Sequence, residues 1–327
     1  MNNVKSITVK ANANFALLKY WGKHDSYKNI PEMPSISLTV SDLTSTVTIG
    51  AHSKEREYYL NEKKIDKSTN DKWQKVITQF SNVSSVNKNI FINADNNFLT
   101  ASGLASSASG IAALTGALNK YFKTDFDHQD LSRIARIGSA SAARSIYGGF
   151  VELRNQKSGD YIDSYAKQIA SVNHWPLSVL VCLTSHRKKK ISSTDGMMKS
   201  KETSIIYDDW VDLSNKIIDE GRQAILNRDF LKLAELSELS CLFMHAVMMT
   251  TIPSLVYWNK KTIECIECIK ELRGLGVPIF YTVDAGPHVK AICEPAYSDI
   301  ALSALSSVIG DENILMSSVG EGLIYKQ

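Results

Sequence analysis

Leu99-Thr-Ala-Ser-Gly-Leu-Ala-Ser-Ser-Ala-Ser-Gly110 is the stretch around which the rest of the chain can be read. Apart from two leucines it holds only glycine, alanine, serine and threonine, and it runs straight into Ile111, Leu114, Leu118 and Phe122. The three- and four-residue spacing of that apolar row predicts an amphipathic helix over 104–122. Small side chains ahead of a helix let a ligand approach the backbone. The free N–H groups of the first turn, with the helix dipole, favour an anion there. Ser106 and Ser107 add hydroxyls suited to phosphate oxygens or Mg2+. No G-x-x-x-x-G-K-[ST] loop occurs, and no G-x-G-x-x-G follows a strand. Alone, the stretch also reads as a helix trimmed for close packing.

Upstream of it the pattern is β. Ser6 to Lys10 and the run from Ser35 to Ile49 alternate with period two and are rich in β-branched residues. Tyr58 to Leu60 and Ile90 to Ile92 are shorter strand candidates, with one helix around Trp73 to Phe80 between them. Downstream, Asp127 followed by Asp130 signals a helix start of the capping-box type, with Leu131, Ile134 and Ile137 as its apolar face. Strands are expected at 149–153 and 177–183, helices at 203–226, 229–248 and 254–273, the last ended by Gly274 and Gly276. Strands at 277–284 and 288–293, a helix at 297–308 and a strand at 314–325 complete the chain. Helix–strand–strand–helix–strand suits helices laid over an antiparallel sheet. The fold class is α+β, in two domains, 1–180 and 181–327.

The 327 residues fit about two domains and can bury about 75% of the unfolded surface without a metal or disulfide. The 17 glycines and 7 prolines, about 7% of the chain, exclude a linker-rich or collagen-like sequence. A net charge of +3 is too weak for general nucleic-acid binding, though it leaves room for a local basic patch facing a small polyanion. No apolar run approaches a membrane span, and MNNVKSITVKAN lacks the apolar core of a signal peptide. Five cysteines cannot all pair within one chain, so free thiols in a reducing cytoplasm are expected. Cys265-x2-Cys268 has no second half at zinc spacing and reads as thiols on a helix face.

Four more segments carry chemistry. Asn14-Phe-Ala-Leu-Leu-Lys-Tyr-Trp-Gly-Lys23 places Lys19 and Lys23 either side of Tyr20 and Trp21, which suits phosphate and an aromatic wall but also ordinary surface. Gly138-Ser-Ala-Ser-Ala-Ala-Arg144 alternates hydroxyls with small residues and ends in an arginine able to hold a carboxylate or phosphate bidentately, or to cap a helix in a salt bridge. Asp284-Ala-Gly-Pro287 puts a carboxylate at the end of an apolar strand, as a catalytic base or a plain turn-starting Asp would be. Arg187 to Lys190, followed by Ile-Ser-Ser-Thr-Asp-Gly-Met197, reads as a basic loop that could cover phosphates.

Taken together, KYWGK (19–23), NNFLTASGLASSAS (96–109), RIGSASAARSIYGGF (136–150), SSTDGM (192–197), MHA (244–246) and DAGP (284–287) resemble the diphosphomevalonate decarboxylases of the GHMP kinase superfamily, in order and approximate spacing. The resemblance runs from Asn12 to the C-terminus. It implies an N-terminal domain like ribosomal protein S5 and a ferredoxin-like C-terminal domain, with the active site in the cleft between them. It also implies ATP and Mg2+ as cofactors and a homodimer, with neither nucleic acid nor membrane as partner. The implied reaction phosphorylates the 3-hydroxyl of mevalonate 5-diphosphate. Phosphate and CO2 then leave, giving isopentenyl diphosphate.

By the same resemblance, Asp284 is the base or orienting carboxylate, Lys19 steadies developing charge, and Arg144 with Asn14 holds the substrate carboxylate. Tyr20, Trp21, Lys23, Ser139, Ser141, Ser193 and Met197 contact the substrate. Thr100, Ser102, Gly103, Leu104, Ala105, Ser106 and Ser107 cradle ATP, Ser107 next to the metal and the transferred group. Two departures stand out: Leu99 where the family has proline, and Thr194 where some bacterial members have arginine. The rival readings are a mevalonate 5-phosphate decarboxylase, a mevalonate 3-kinase that stops before decarboxylation, and a non-catalytic binding protein on the same scaffold. The joint presence of Asp284 and Lys19 favours the decarboxylase.

Overall fold

Two long strands carry the site, and both run beyond their period-two segments. β1 (Ile7–Leu18) and β4 (Ser35–Ala51) pair antiparallel, with register shifts between Asn12 and Asn14 and between Ala16 and Leu18. The second half of β1 is buried on both faces, so alternation is lost there although the strand continues. In this computed structural model the described residues are 6–52, 56–86, 89–98, 106–158, 161–186 and 191–326.

Between the long strands lies a small hairpin, β2 (Lys23–Asp25) and β3 (Ile30–Pro31). Next come β5 (Glu57–Leu60), β6 (Lys63–Lys64), α1 (Lys67–Ser81) and β7 (Ile90–Asn96). α2 (Ser106–Phe122) and α3 (His128–Gly138) follow, the latter capped by Asp127, which accepts from the Asp130 N–H. The small polar run after α3 is a 3-10 helix, Ala140–Ile146. β8 (Phe150–Ser158) and β9 (Tyr161–Ala170) form a hairpin of which only the start of the first arm was expected. Then come β10 (Ser178–Cys182), α4 (Ser193–Thr203), α5 (Tyr207–Leu226), α6 (Phe230–Met249) and α7 (Lys260–Gly274). β11 (Ile279–Val283), β12 (Val289–Cys293), α8 (Ser298–Ile309), β13 (Ile314–Ser318) and β14 (Leu323–Tyr325) close the chain.

Three expectations need correction. α4 has too few apolar residues to show periodicity and is instead started by Ser192, whose side chain accepts from the Asp195 N–H. The helix expected from residue 254 begins at Lys260, because Asn259 and Thr262 form a reciprocal capping box. The single strand expected over 314–325 is two strands in different sheets. Gly320 and Gly322 make the crossing: a Cβ at Gly322 would meet the Ile146 carbonyl at 2.4 Å, and one at Gly320 the backbone of Ser41 at 2.6 Å.

The first sheet runs β14-β1-β4-β7-β5-β6, with β8 on β4 and β9 on β8; the second runs β11-β12-β10-β13 and is antiparallel throughout. The last strand of the chain therefore lies beside its first. α1, α2 and α3 cover one face of the first sheet through Trp73, Phe80, Leu114, Leu118 and Leu131. α7 and α8 cover one face of the second through Cys265, Ile269 and Leu305. Between the sheets lies a shared apolar layer of Phe15, Leu17 and Leu38 against Val179, Val181, Phe280 and Ile292, with Ile218 and Leu233 from α5 and α6. Each such side chain stabilises by about 1.5–3 kcal/mol on burial. That layer fixes the end of β1 relative to the end of β11, where the chemistry sits. All five cysteines are free thiols; Cys265 is buried on α7 and Cys268 half-buried. No described helix is long and apolar enough to cross a membrane.

Candidate active site

Lys19 is the first residue after β1 and Asp284 the first after β11, so two strand ends from different sheets deliver an ion pair. Thr282 on β11 donates to the Ala16 carbonyl on β1 (3.1 Å), and Ser240 on α6 accepts from the Lys19 N–H (2.8 Å). Thus anchored, Lys19 Nζ lies 2.7 Å from Asp284 Oδ1. The second carboxylate oxygen, Oδ2, lies 3.0 Å from the ammonium of Lys290 on β12. Burial alone would raise the Asp284 pKa, but two ammoniums outweigh it and hold the carboxyl well below the usual carboxylate range. Asp284 is 26% exposed and both lysines are 1% exposed; Asp284 and Lys19 line the cleft, whereas Lys290 does not.

Arg144 comes from the 3-10 helix and is buried. Its Nε donates to Asn14 Oδ1 (3.3 Å) and its Nη1 to Ser35 Oγ (2.7 Å). Asn14 is itself fixed by donating to the Ser141 carbonyl (3.0 Å) and to Ser145 Oγ (2.8 Å). Among the described residues no carboxylate pairs with Arg144. Burial pushes its pKa down to about 10, so it remains a guanidinium at neutral pH. A buried cation held by neutral acceptors is positioned for an incoming anion.

Towards the outer end, Lys23 donates to Asn29 Oδ1 (2.7 Å) and Thr194 Oγ1 (3.1 Å), and Asn29 donates to the Ile137 carbonyl (2.7 Å). Burial, then the nearby charges of Lys72 and Lys75, bring the Lys23 pKa down to about 8. The hydroxyls of Ser139 and Ser141 are 3.1 Å apart. The Tyr20 hydroxyl is buried with no partner among the described residues. Trp21 is pinned by donating to Ser200 Oγ on α4 (2.9 Å), which ties the KYWGK turn to the segment carrying Ser193 and Met197.

Many of these groups line one cleft of about 680 Å³. Of the expected residues, Asn14, Lys19, Tyr20, Trp21, Lys23, Ser106, Ser107, Ser139, Ser141, Arg144, Ser193, Met197 and Asp284 all face it. Ser106 and Ser107 do so from the first turn of α2. Thr100, Ser102, Gly103, Leu104 and Ala105 lie outside the described residues, as do Leu99 and 187–190. Sequence reasoning missed Ser68, Lys72 and Lys75, which line the cleft from α1. Their spacing of four and three residues marks a single helix face, a signal that the polar character of the segment concealed. It also missed Lys290, whose signal was a lone lysine inside the apolar run Val289–Cys293.

Residues 11–166 match the family model described as the diphosphomevalonate decarboxylase-like N-terminal domain, and residues 179–322 match that of the mevalonate 5-diphosphate decarboxylase C-terminal domain. The diphosphomevalonate decarboxylase of Candida albicans is 33% identical, with 97% of each chain covered. The chain belongs to the diphosphomevalonate decarboxylase family. Among solved structures, mevalonate diphosphate decarboxylase from Staphylococcus aureus is 33% identical with a TM-score of 0.90, over 99% of this chain and 98% of the other. A structure described as MDDEF in complex with MVAPP, AMPPCP and magnesium is 32% identical with a TM-score of 0.89, over 98% and 99%. The GHMP kinase fold expected from the sequence is thus the fold of the family.

The donor set also bears on a metal. Among the described residues no group of three or more His, Cys, Asp or Glu side chains could hold an ion. A Mg2+ ion needs few protein ligands when phosphates and waters supply the rest. Hydroxyls at a helix N-terminus, as at Ser106 and Ser107, fit that role.

Proposed function

We propose that this cleft carries out the ATP-dependent decarboxylation of mevalonate 5-diphosphate to isopentenyl diphosphate, releasing ADP, phosphate and CO2. The observation that carries the reading is the placing of two opposite devices in one cleft. Asp284 is a carboxylate fully ion-paired and open on one side; Arg144 is a buried cation that no carboxylate pairs with among the described residues. The first suits a hydroxyl, the second a carboxylate, and the substrate carries both on neighbouring atoms.

In this reading Asp284 accepts a hydrogen bond from the tertiary 3-hydroxyl and orients it. A carboxylate held so far below its ordinary range is a weak proton sink, so its contribution is chiefly alignment. Lys19, on the same oxygen, screens the charge that develops as the hydroxyl oxygen bonds the γ-phosphorus, ADP departs and the hydroxyl proton passes to an oxygen of the transferred phosphoryl group. Arg144, steadied by Asn14 and Ser35, holds the substrate carboxylate ionised, the form that expels CO2 once the 3-phosphate leaves. Lys23, Ser139, Ser141, Ser193 and Tyr20 take the diphosphate end, and Trp21 with Met197 forms the apolar wall. Ser106 and Ser107 meet the ATP phosphates, with Ser107 beside Mg2+, whose charge would neutralise the phosphate oxygens. Residues 1–180 form the ATP-binding domain and 181–327 supply Asp284, a division supported by the two matched family models. Five free thiols support a cytoplasmic location.

The test is a substrate panel: purified protein with Mg2+ and ATP, given mevalonate, its 5-phosphate or its 5-diphosphate, with ADP release recorded. Turnover confined to the 5-diphosphate is expected. Equal turnover of the 5-phosphate would remove the diphosphate role of Lys23 and its neighbours, and no turnover of any would remove the reading.

A further inference from the structure

Lys290 lies in the middle of β12, opposite Thr282 of β11 and Val181 of β10 in the sheet register. Its side chain shares the face that carries Phe280, Ile292 and Val181 into the apolar layer between the sheets. A lysine there is costly, because an ammonium loses its hydration in such surroundings. Burial lowers its pKa, and three contacts offset the cost: Asp284 Oδ2 at 3.0 Å, the His288 carbonyl at 3.3 Å, and the ring of Phe15, 4.9 Å from the ammonium to its centroid. Lys290 is 1% exposed and does not line the cleft; it reaches the carboxylate from behind.

We propose that Lys290 is a positioning residue: it pins Oδ2 of Asp284 from outside the cleft, so that Oδ1, shared with Lys19, is the oxygen presented to the substrate hydroxyl. The inference rests on the reading of Asp284 as the group that meets that hydroxyl. A carboxylate held at one oxygen alone can swing about its χ2 torsion, which is broad for such a side chain. Held at both, it has one orientation. Lys19 cannot supply this alone, since it contacts only Oδ1 and stands in the cleft where the substrate arrives. The groups facing Asp284 are Lys19 from β1, Lys290 from β12, Arg144 from the 3-10 helix, and Cys241 and His245 from α6. Burial brings His245 down to about 3, so it stays neutral, as does the buried Cys241, whose pKa burial raises. Among the described residues Lys290 is therefore the one positive charge on this carboxylate with no substrate atom of its own to meet.

The test compares wild-type enzyme with Lys290→Met, which keeps the length and removes the charge, and Lys290→Gln, which keeps an N–H donor. Expected for Lys290→Met are a kcat lower by about 10- to 100-fold, as for a misplaced catalytic group, and a KM for mevalonate 5-diphosphate within about threefold of wild type. The acid side of the kcat profile should move to higher pH, because Asp284 loses one of the two ammoniums that depress its pKa. Lys290→Gln should fall between the two. A kcat within twofold of wild type, or a fall with the pH profile unmoved, would overturn the proposal. A second readout needs no turnover. Lys290→Met should lower the melting temperature in the wild-type background but raise it in Asp284→Asn, where the lysine has lost its counter-ion. The same shift in both backgrounds would refute the pairing. A wild-type enzyme inactive on all three mevalonates would refute the functional reading instead, leaving the melting comparison to judge the pair.

Discussion

Replacing Arg144 by methionine should make the enzyme nearly inactive while leaving its stability almost unchanged. The guanidinium is buried and its pKa drops from an ordinary 12.5 to about 10. At about 1.4 kcal/mol per tenfold change, the folded protein holds this charge at a cost of about 3 kcal/mol. The two neutral hydrogen bonds to Asn14 and Ser35 return part of this, at about 1 kcal/mol each. Methionine removes the cost but leaves Asn14 Oδ1 and Ser35 Oγ buried without their donor, at about 1–3 kcal/mol each, so the two sides nearly cancel and the melting temperature should stay within a few degrees of wild type. The balance holds at pH 7, because the pKa of Arg144 lies far above it in the folded and unfolded chain alike. Activity has no such balance. Truncating one partner of a buried charge pair costs about 2–5 kcal/mol, a fall of roughly 30- to 5,000-fold in kcat/KM. Melting curves with and without mevalonate 5-diphosphate, alongside ADP release under kcat/KM conditions, measure both. Unchanged kcat/KM, or a melting temperature that rises with mevalonate 5-diphosphate as much as in wild type, would refute the view of Arg144 as a cation kept for the substrate.

Three further outcomes follow from the same site. Asp284→Ala should abolish turnover while a non-hydrolysable ATP analogue still binds by calorimetry; substantial product from that variant would remove Asp284 from the chemistry. Lys23, with its pKa near 8, is charged below that pH and loses its proton above it, so kcat/KM for the diphosphate should fall as pH rises through about 8. In Lys23→Arg, which stays charged, that fall should vanish, and its persistence would point to another group. Gly196→Ala would place a Cβ 2.9 Å from Trp21 and 3.3 Å from Leu255, costing about 1–3 kcal/mol of overpacking against at most about 1 kcal/mol of helix propensity. The melting temperature should fall and the substrate KM rise as Trp21 is displaced; a rise in melting temperature would mean that the wall yields freely.

Much of the site was legible because its chemistry is written in short segments. KYWGK, the Ser-rich 3-10 run and DAGP hold their reactive side chains within a few residues, and each abuts a strand or helix whose periodicity shows. What was missed depends on tertiary context. The inner half of β1 and β12 lie where both faces are buried, so alternation marks neither, and the lone lysine of β12 takes on a role only once Asp284 stands beside it. Lys72 and Lys75 belong to a helix that looks merely soluble until the hairpin of β2 and β3 and the end of α3 close the cleft opposite it. The break between β13 and β14 depends on backbone packing against Gly320 and Gly322, a constraint invisible until the facing chain is in place.

In the reaction proposed, a single cleft couples phosphoryl transfer to loss of CO2. The most direct test is to quench the reaction of wild-type protein with Mg2+, ATP and mevalonate 5-diphosphate and to count ADP, inorganic phosphate and CO2 together. One phosphate and one CO2 for each ADP, with isopentenyl diphosphate as the organic product, is the expected result. ADP formed without CO2, with a phosphorylated mevalonate accumulating, would contradict it, because Arg144 would then hold a carboxylate that never leaves.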